Sequence, residues 1–131
     1  MKKKISDPLV YSNLLFFINA FLYGVGDFHF LGVVMGISAM ASLIYHYRLC
    51  HVSGHADRFC AASALGCILT TCFLYMDIID FMIMIFLASL SLIWKRYGDS
   101  QTDIDFYRVC HLYWHIIVFI CNLIVFLVLR K

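Results

Sequence analysis

Five runs of apolar residues, each long enough to cross a bilayer, take up nearly all of this 131-residue chain. They cover roughly residues 9–25, 30–49, 57–76, 78–95 and 108–129, and a spanning helix needs about 17–25 residues. The breaks around Asp27 and Asp77 are very short, which predicts tight antiparallel helix pairs there. Only 50–56 and 96–107 read as loops of any length. The chain is 63% hydrophobic, whereas soluble domains stay near half. Its mean hydropathy of +0.88 points the same way. The expected fold is all-α: one domain over residues 1–131, a polytopic membrane bundle of about five transmembrane helices. No linker, low-complexity tract or internal repeat interrupts it.

The N-terminal MKKKISDP resembles the basic head of a signal peptide. No small-x-small cleavage pattern follows LLFFINAFLYGVG, so the first run reads as an uncleaved helix. The basic residues then set an orientation. With the N-terminus cytoplasmic, Lys2, Lys3, Lys4, Arg48, Arg58, Lys95, Arg96 and Arg108 fall inside, and only Arg130 and Lys131 fall outside. The outside turns carry Asp27, Asp77 and Asp80. This positive-inside bias supports five helices, because one more or one fewer would scramble it. The net charge of +2 therefore reflects topology, and no dense basic face argues for nucleic acid.

The cysteines are Cys50, Cys60, Cys67, Cys72, Cys110 and Cys121, none in a CxxC pattern. Most read as small apolar residues within helices, and a disulfide framework is not expected. Cys50, Cys60 and Cys110 fall near the cytoplasmic boundary, where acylation is chemically open.

Ionisable groups in membrane helices are costly, so each one is a functional candidate. The second run ends in SAMASLIYHYR, which places Ser42 and His46 one turn apart on one face. Asp57 opens the third run. The last run opens with HLYWH, which places His111 and His115 on one face. The topology puts Ser42, His46, Asp57, His111 and His115 at one depth on the cytoplasmic side. Three neutral imidazoles with an open position are a catalytic zinc set. Zinc would polarise a carbonyl and bring the pKa of water towards neutrality. Asp57 would orient the water or relay its proton, and Ser42 would hydrogen-bond the water or the developing oxyanion. With no glutamate in the chain, an H-E-x-x-H site is excluded.

Each residue also has an ordinary reading. A lone histidine at a helix end is usually interfacial, and His29, His51 and His55 are placed in that class. Ser42 alone reads as a packing residue bonded to its own turn. Asp57 alone reads as an N-cap, and Asp77 and Asp80 as turn and cap residues. Tyr45, Tyr47, Tyr113 and Trp114 fit an interfacial belt. The joint pattern favours the metal.

The ordered set S-x-x-x-H on the second helix, Asp at the start of the third and H-x-x-x-H on the last resembles the CREST superfamily of membrane hydrolases. That group includes the alkaline ceramidases, the adiponectin receptors and the remodelling enzymes of GPI-anchor lipids. The resemblance covers about half of the chain, on Ser42, His46, Asp57, His111 and His115. It implies an intramembrane Zn2+ held by His46, His111 and His115, with Ser42 and Asp57 beside a water. It also implies hydrolysis of a lipid amide or ester, ceramide-like, with membrane lipids as partners. The family has seven helices where five are counted here. Three helices usually separate the Asp helix from the HxxxH helix, and here one does. Both numbers are odd, so the sidedness of the site survives. A smaller bundle encloses less space, and the lipid-binding half then comes from a second copy of the chain or is absent.

Two other readings stay open. The site is structural zinc in a non-enzymatic scaffold or receptor-like protein, or His46 and a histidine of the last helix hold a b-type haem.

Overall fold

The computed structural model describes residues 8–48 and 51–131. The expectations for Lys2, Lys3, Lys4 and Cys50, and for the side chains of Arg48 and His51, fall outside that description. Backbone polar groups find no partners in hydrocarbon, so a spanning chain must satisfy them within helices. This one forms α1 (Pro8–Val25), α2 (His29–Arg48), α3 (His51–Tyr75), α4 (Ile78–Asp99) and α5 (Ile104–Leu129). All five are long and apolar enough to cross a membrane.

The helix ends follow from local chemistry. Proline opens α1, where its missing N–H costs nothing. The Asp77 carboxylate caps α4, accepting from the amides of Ile79 and Asp80, both at 2.9 Å. Asp103 caps α5 in the same way, accepting from Asp105 N at 2.9 Å and Phe106 N at 3.4 Å. Between α1 and α2 the Phe28 amide reaches back to Tyr23 O at 3.1 Å, with Asp27 left-handed at φ 68°. That is a Schellman stop with aspartate in the position usually held by glycine.

Three helices extend beyond their apolar runs. Residues 51–56 belong to α3, and 96–99 to α4, so neither stretch is the loop that hydropathy predicts. α5 begins at Ile104, well before 108. The polar ends persist as helix because they carry their own stabilisers. Examples are the Asp103 cap and the Lys95–Asp99 pair at 2.6 Å.

α1 packs against α2 and α5, α2 also packs against α3, and α4 packs against α5. Around the bundle the order is therefore α3, α2, α1, α5, α4. α3 touches α4 and α5 only sparsely, so the seam between α3 and α4 is the thinnest in the molecule. The surface is inverted relative to a water-soluble domain. Phe30 and Phe59 are 70% and 74% exposed, whereas Asn13 and His115 are fully buried. Lipid gives helices no hydrophobic reason to associate, so close backbone approach and buried polar contacts must hold them.

At Gly32 the backbones of α1 and α2 meet directly. A Cβ there would lie 2.8 Å from Gly24 N and 2.9 Å from Ala20 O, both backbone atoms. Gly32→Ala is therefore expected to push α1 and α2 apart and lower stability by about 1–3 kcal/mol, read as a reduced thermal midpoint in detergent. Gly24→Ala, where a Cβ meets nothing within 4 Å, is the control.

Candidate metal centre

The polar groups gather at the end of the bundle where α2 finishes and α3 and α5 begin. His46 sits in the last turn of α2. His111 and His115 lie one turn apart on α5, and the helical repeat turns both towards α2. They do not open α5. They sit roughly 10 and 16 Å along it, because the helix starts at Ile104. One ligand atom from each of the three histidines lies within 4.8 Å of the others. The ring centroids are 4.9 Å apart for His46–His111, 5.5 Å for His46–His115 and 4.9 Å for His111–His115. All three side chains are buried.

This donor set fits a metal ion. Tetrahedral zinc with bonds of about 2.0–2.1 Å needs nitrogens about 3.3 Å apart, and the three ligand atoms already lie within 4.8 Å of one another. Among the described residues His115 Nε2 is buried with no hydrogen-bond partner, and a lone pair left in that state is costly. A metal ion would satisfy it. His46 packs directly on His111 and His115, with ring centroids 4.9 and 5.5 Å apart, which leaves no room between them for the porphyrin of a bis-histidine haem.

Ser42 and Asp57 also come together. The Ser42 hydroxyl, one turn before His46, lies within hydrogen-bonding influence of the Asp57 carboxylate. Asp57 lies inside α3, past its first turn, so it is not the cap of that helix. Both residues line a cavity of about 450 Å³ that all five helices border. Met35, Leu65, Ile68 and Val118 make its apolar body; Arg58 and Lys95 join Ser42 and Asp57 in its wall. Lys95 bonds Asp99 at 2.6 Å, and its ammonium stands 5.5 Å over the Trp114 ring.

Several contributors were not assigned to the site from the sequence. The Ser12 Oγ lies 2.6 Å from His115 Nδ1, and Phe16, one turn on, packs its ring edge on the same imidazole at 4.9 Å. Trp114 packs edge-on against His111 and at a tilt against His115, and lines the cavity. Tyr47 and Tyr113 face outward, whereas Trp114 is turned inward to the histidines and the cavity. A signal for α1 was present. Ser12, Asn13, Asn19 and Tyr23 recur at helical spacing within an apolar run, and all four are buried.

His29, His55 and the described cysteines stay apart. His29 opens α2, with its Nδ1 2.6 Å from Gly24 O, and His55 is exposed on α3 rather than in a loop. Cys110 is buried where α4 crosses α5; a Cβ on Gly98 would lie 2.7 Å from the Cys110 Cβ. It is therefore no acylation site. The described cysteines 60, 67, 72, 110 and 121 are free thiols.

No protein-family model, curated protein or solved structure matches the chain.

Proposed function

We propose that the protein is a membrane hydrolase that uses Zn2+ held by His46, His111 and His115 to cleave a lipid amide or ester. The observation that supports this most is the pairing of a buried three-histidine group with an adjacent cavity. That cavity has a mostly apolar body and a carboxylate in its wall. Its volume of about 450 Å³ is within the range of about 300–1,000 Å³ usual for small-molecule sites. One acyl chain suits its apolar body. The thin seam between α3 and α4 offers a sideways path from the bilayer, so a lipid need not cross water to reach it.

When bound, zinc supplies Lewis acidity and an activated water. Asp57 takes up the proton released as water attacks the carbonyl carbon and passes it to the leaving amine or alcohol. Ser42 holds the Asp57 carboxylate in place, and the apolar wall excludes bulk water. The histidine end faces the cytoplasm, since Arg58, Lys95, Arg96 and Arg108 all belong to that end.

A structural role for the metal is the second reading, and one observation favours it. The histidines tie α2 to α5 in a buried layer and are not themselves among the residues that line the cavity. Purified protein in lipid nanodiscs, incubated with ceramides and with diacyl and monoacyl phospholipids, separates the two. Release of fatty acid that stops with chelator and returns with added zinc supports the hydrolase. Zinc-dependent stability with no product from any of these lipids supports the structural role.

A further inference from the structure

The Ser12–His115 contact has a direction that the local hydrogen bonds determine. A serine hydroxyl carries one hydrogen. Ser12 Oγ lies 3.0 Å from Leu9 O, the carbonyl three residues back on its own helix, and donates to it. Its remaining lone pairs then face His115 Nδ1 at 2.6 Å, where Oγ accepts. That arrangement matches His115 protonated on Nδ1, with Nε2 left as a bare lone pair. Nε2 is also the buried ring atom without a partner among the described residues. The opposite tautomer would place an N–H on Nε2 with nothing to receive it, and would put a hydrogen where a ligand lone pair is needed.

We infer that Ser12 on α1 is a positioning residue of the metal centre, holding His115 as the Nδ1–H tautomer so that Nε2 is its metal-binding atom. The inference rests on the reading that the three histidines hold a metal ion. Metal-bound histidines commonly donate their second N–H to an oxygen acceptor, and losing that acceptor costs about 10- to 100-fold in affinity. Phe16 adds to the clamp. Its ring edge packs on the His115 imidazole at an interplanar angle of 66°, which hinders rotation of a ring already fixed at one nitrogen. α1 contributes no ligand, yet it holds the α5 ligand from behind.

Ser12 would also tie α1 to α5 if no metal were involved, so the test must separate the two roles. Chelator-stripped protein in detergent is titrated with Zn2+ for wild type, Ser12→Ala, Ser12→Thr and His111→Ala, and each apo form is melted. The expected result is zinc binding that His111→Ala abolishes and Ser12→Ala weakens by about 10- to 100-fold. Ser12→Thr, which keeps the hydroxyl, should return to within a few-fold of wild type. A mere helix tie would lower the melting of apo Ser12→Ala and leave its zinc affinity unchanged. That outcome overturns the inference while the three-histidine site stands. Wild type that binds no zinc removes the site and the inference together. Should Ser12→Ala not fold, 15N-histidine spectra of the zinc-loaded wild type decide. A His115 signal metallated at Nε2 and protonated at Nδ1 supports the inference, and one metallated at Nδ1 overturns it.

Discussion

His115→Ala is expected to yield a protein that purifies without zinc and unfolds well below the wild type. His115 is fully buried and touches both other candidate ligands, so its loss leaves two imidazoles and an opened space. Two effects add. Zinc at a free concentration a thousand times its Kd stabilises the folded state by about 4 kcal/mol, and that linkage disappears with the ligand. Truncating a large buried side chain costs a further 2–5 kcal/mol or so. Chelator added to the wild type reproduces only the first effect, which lets the two be separated by thermal melting. His29→Ala is the comparison, because His29 opens α2 at the far end of the bundle. It should keep its zinc and most of its stability. Equal zinc content in His115→Ala and the wild type would remove His115 from the ligand set.

Asp57→Asn is expected to keep its zinc and lose its activity. The carboxylate is half-buried in the cavity wall and lies within hydrogen-bonding influence of Ser42, so asparagine preserves shape while removing the basic oxygen. A general base contributes about 10²- to 10⁴-fold to rate, and the fall in kcat on the substrate lipid should be of that order. Ser42→Ala should cost less, since Ser42 acts through Asp57. Fatty-acid release and metal content are measured on the same preparation. Turnover that survives Asp57→Asn undiminished would move the proton-transfer role elsewhere, whereas loss of zinc together with activity would make Asp57 a structural neighbour of the site.

The parts of this architecture that were legible beforehand are those governed by composition over long windows. Five apolar runs became five helices, and the Asp77 cap was readable from its place between two of them. His46, His111 and His115 were legible as a set because buried imidazoles in apolar helices are rare and costly. The helix ends were not, because hydropathy measures the bilayer's claim on a segment and stops where polar residues begin. The backbone does not stop there. His51 to Ala56 and Arg96 to Asp99 continue as helix. The contribution of α1 was also missed. Ser12 looks unremarkable in a run of leucines and phenylalanines, and only the packing of α1 on α5 brings it to His115. Trp114 shows the opposite limit. Its type and position suit a headgroup belt, but the three-dimensional arrangement turns it against the histidines and the cavity.

The most direct test of the metal centre is plasma mass spectrometry of detergent-purified protein, prepared without chelator, beside a His111→Ala variant. The account predicts about one zinc per chain in the wild type and almost none in the variant, as for a three-histidine site that loses a ligand. No zinc in either protein, or the same zinc in both, would contradict it.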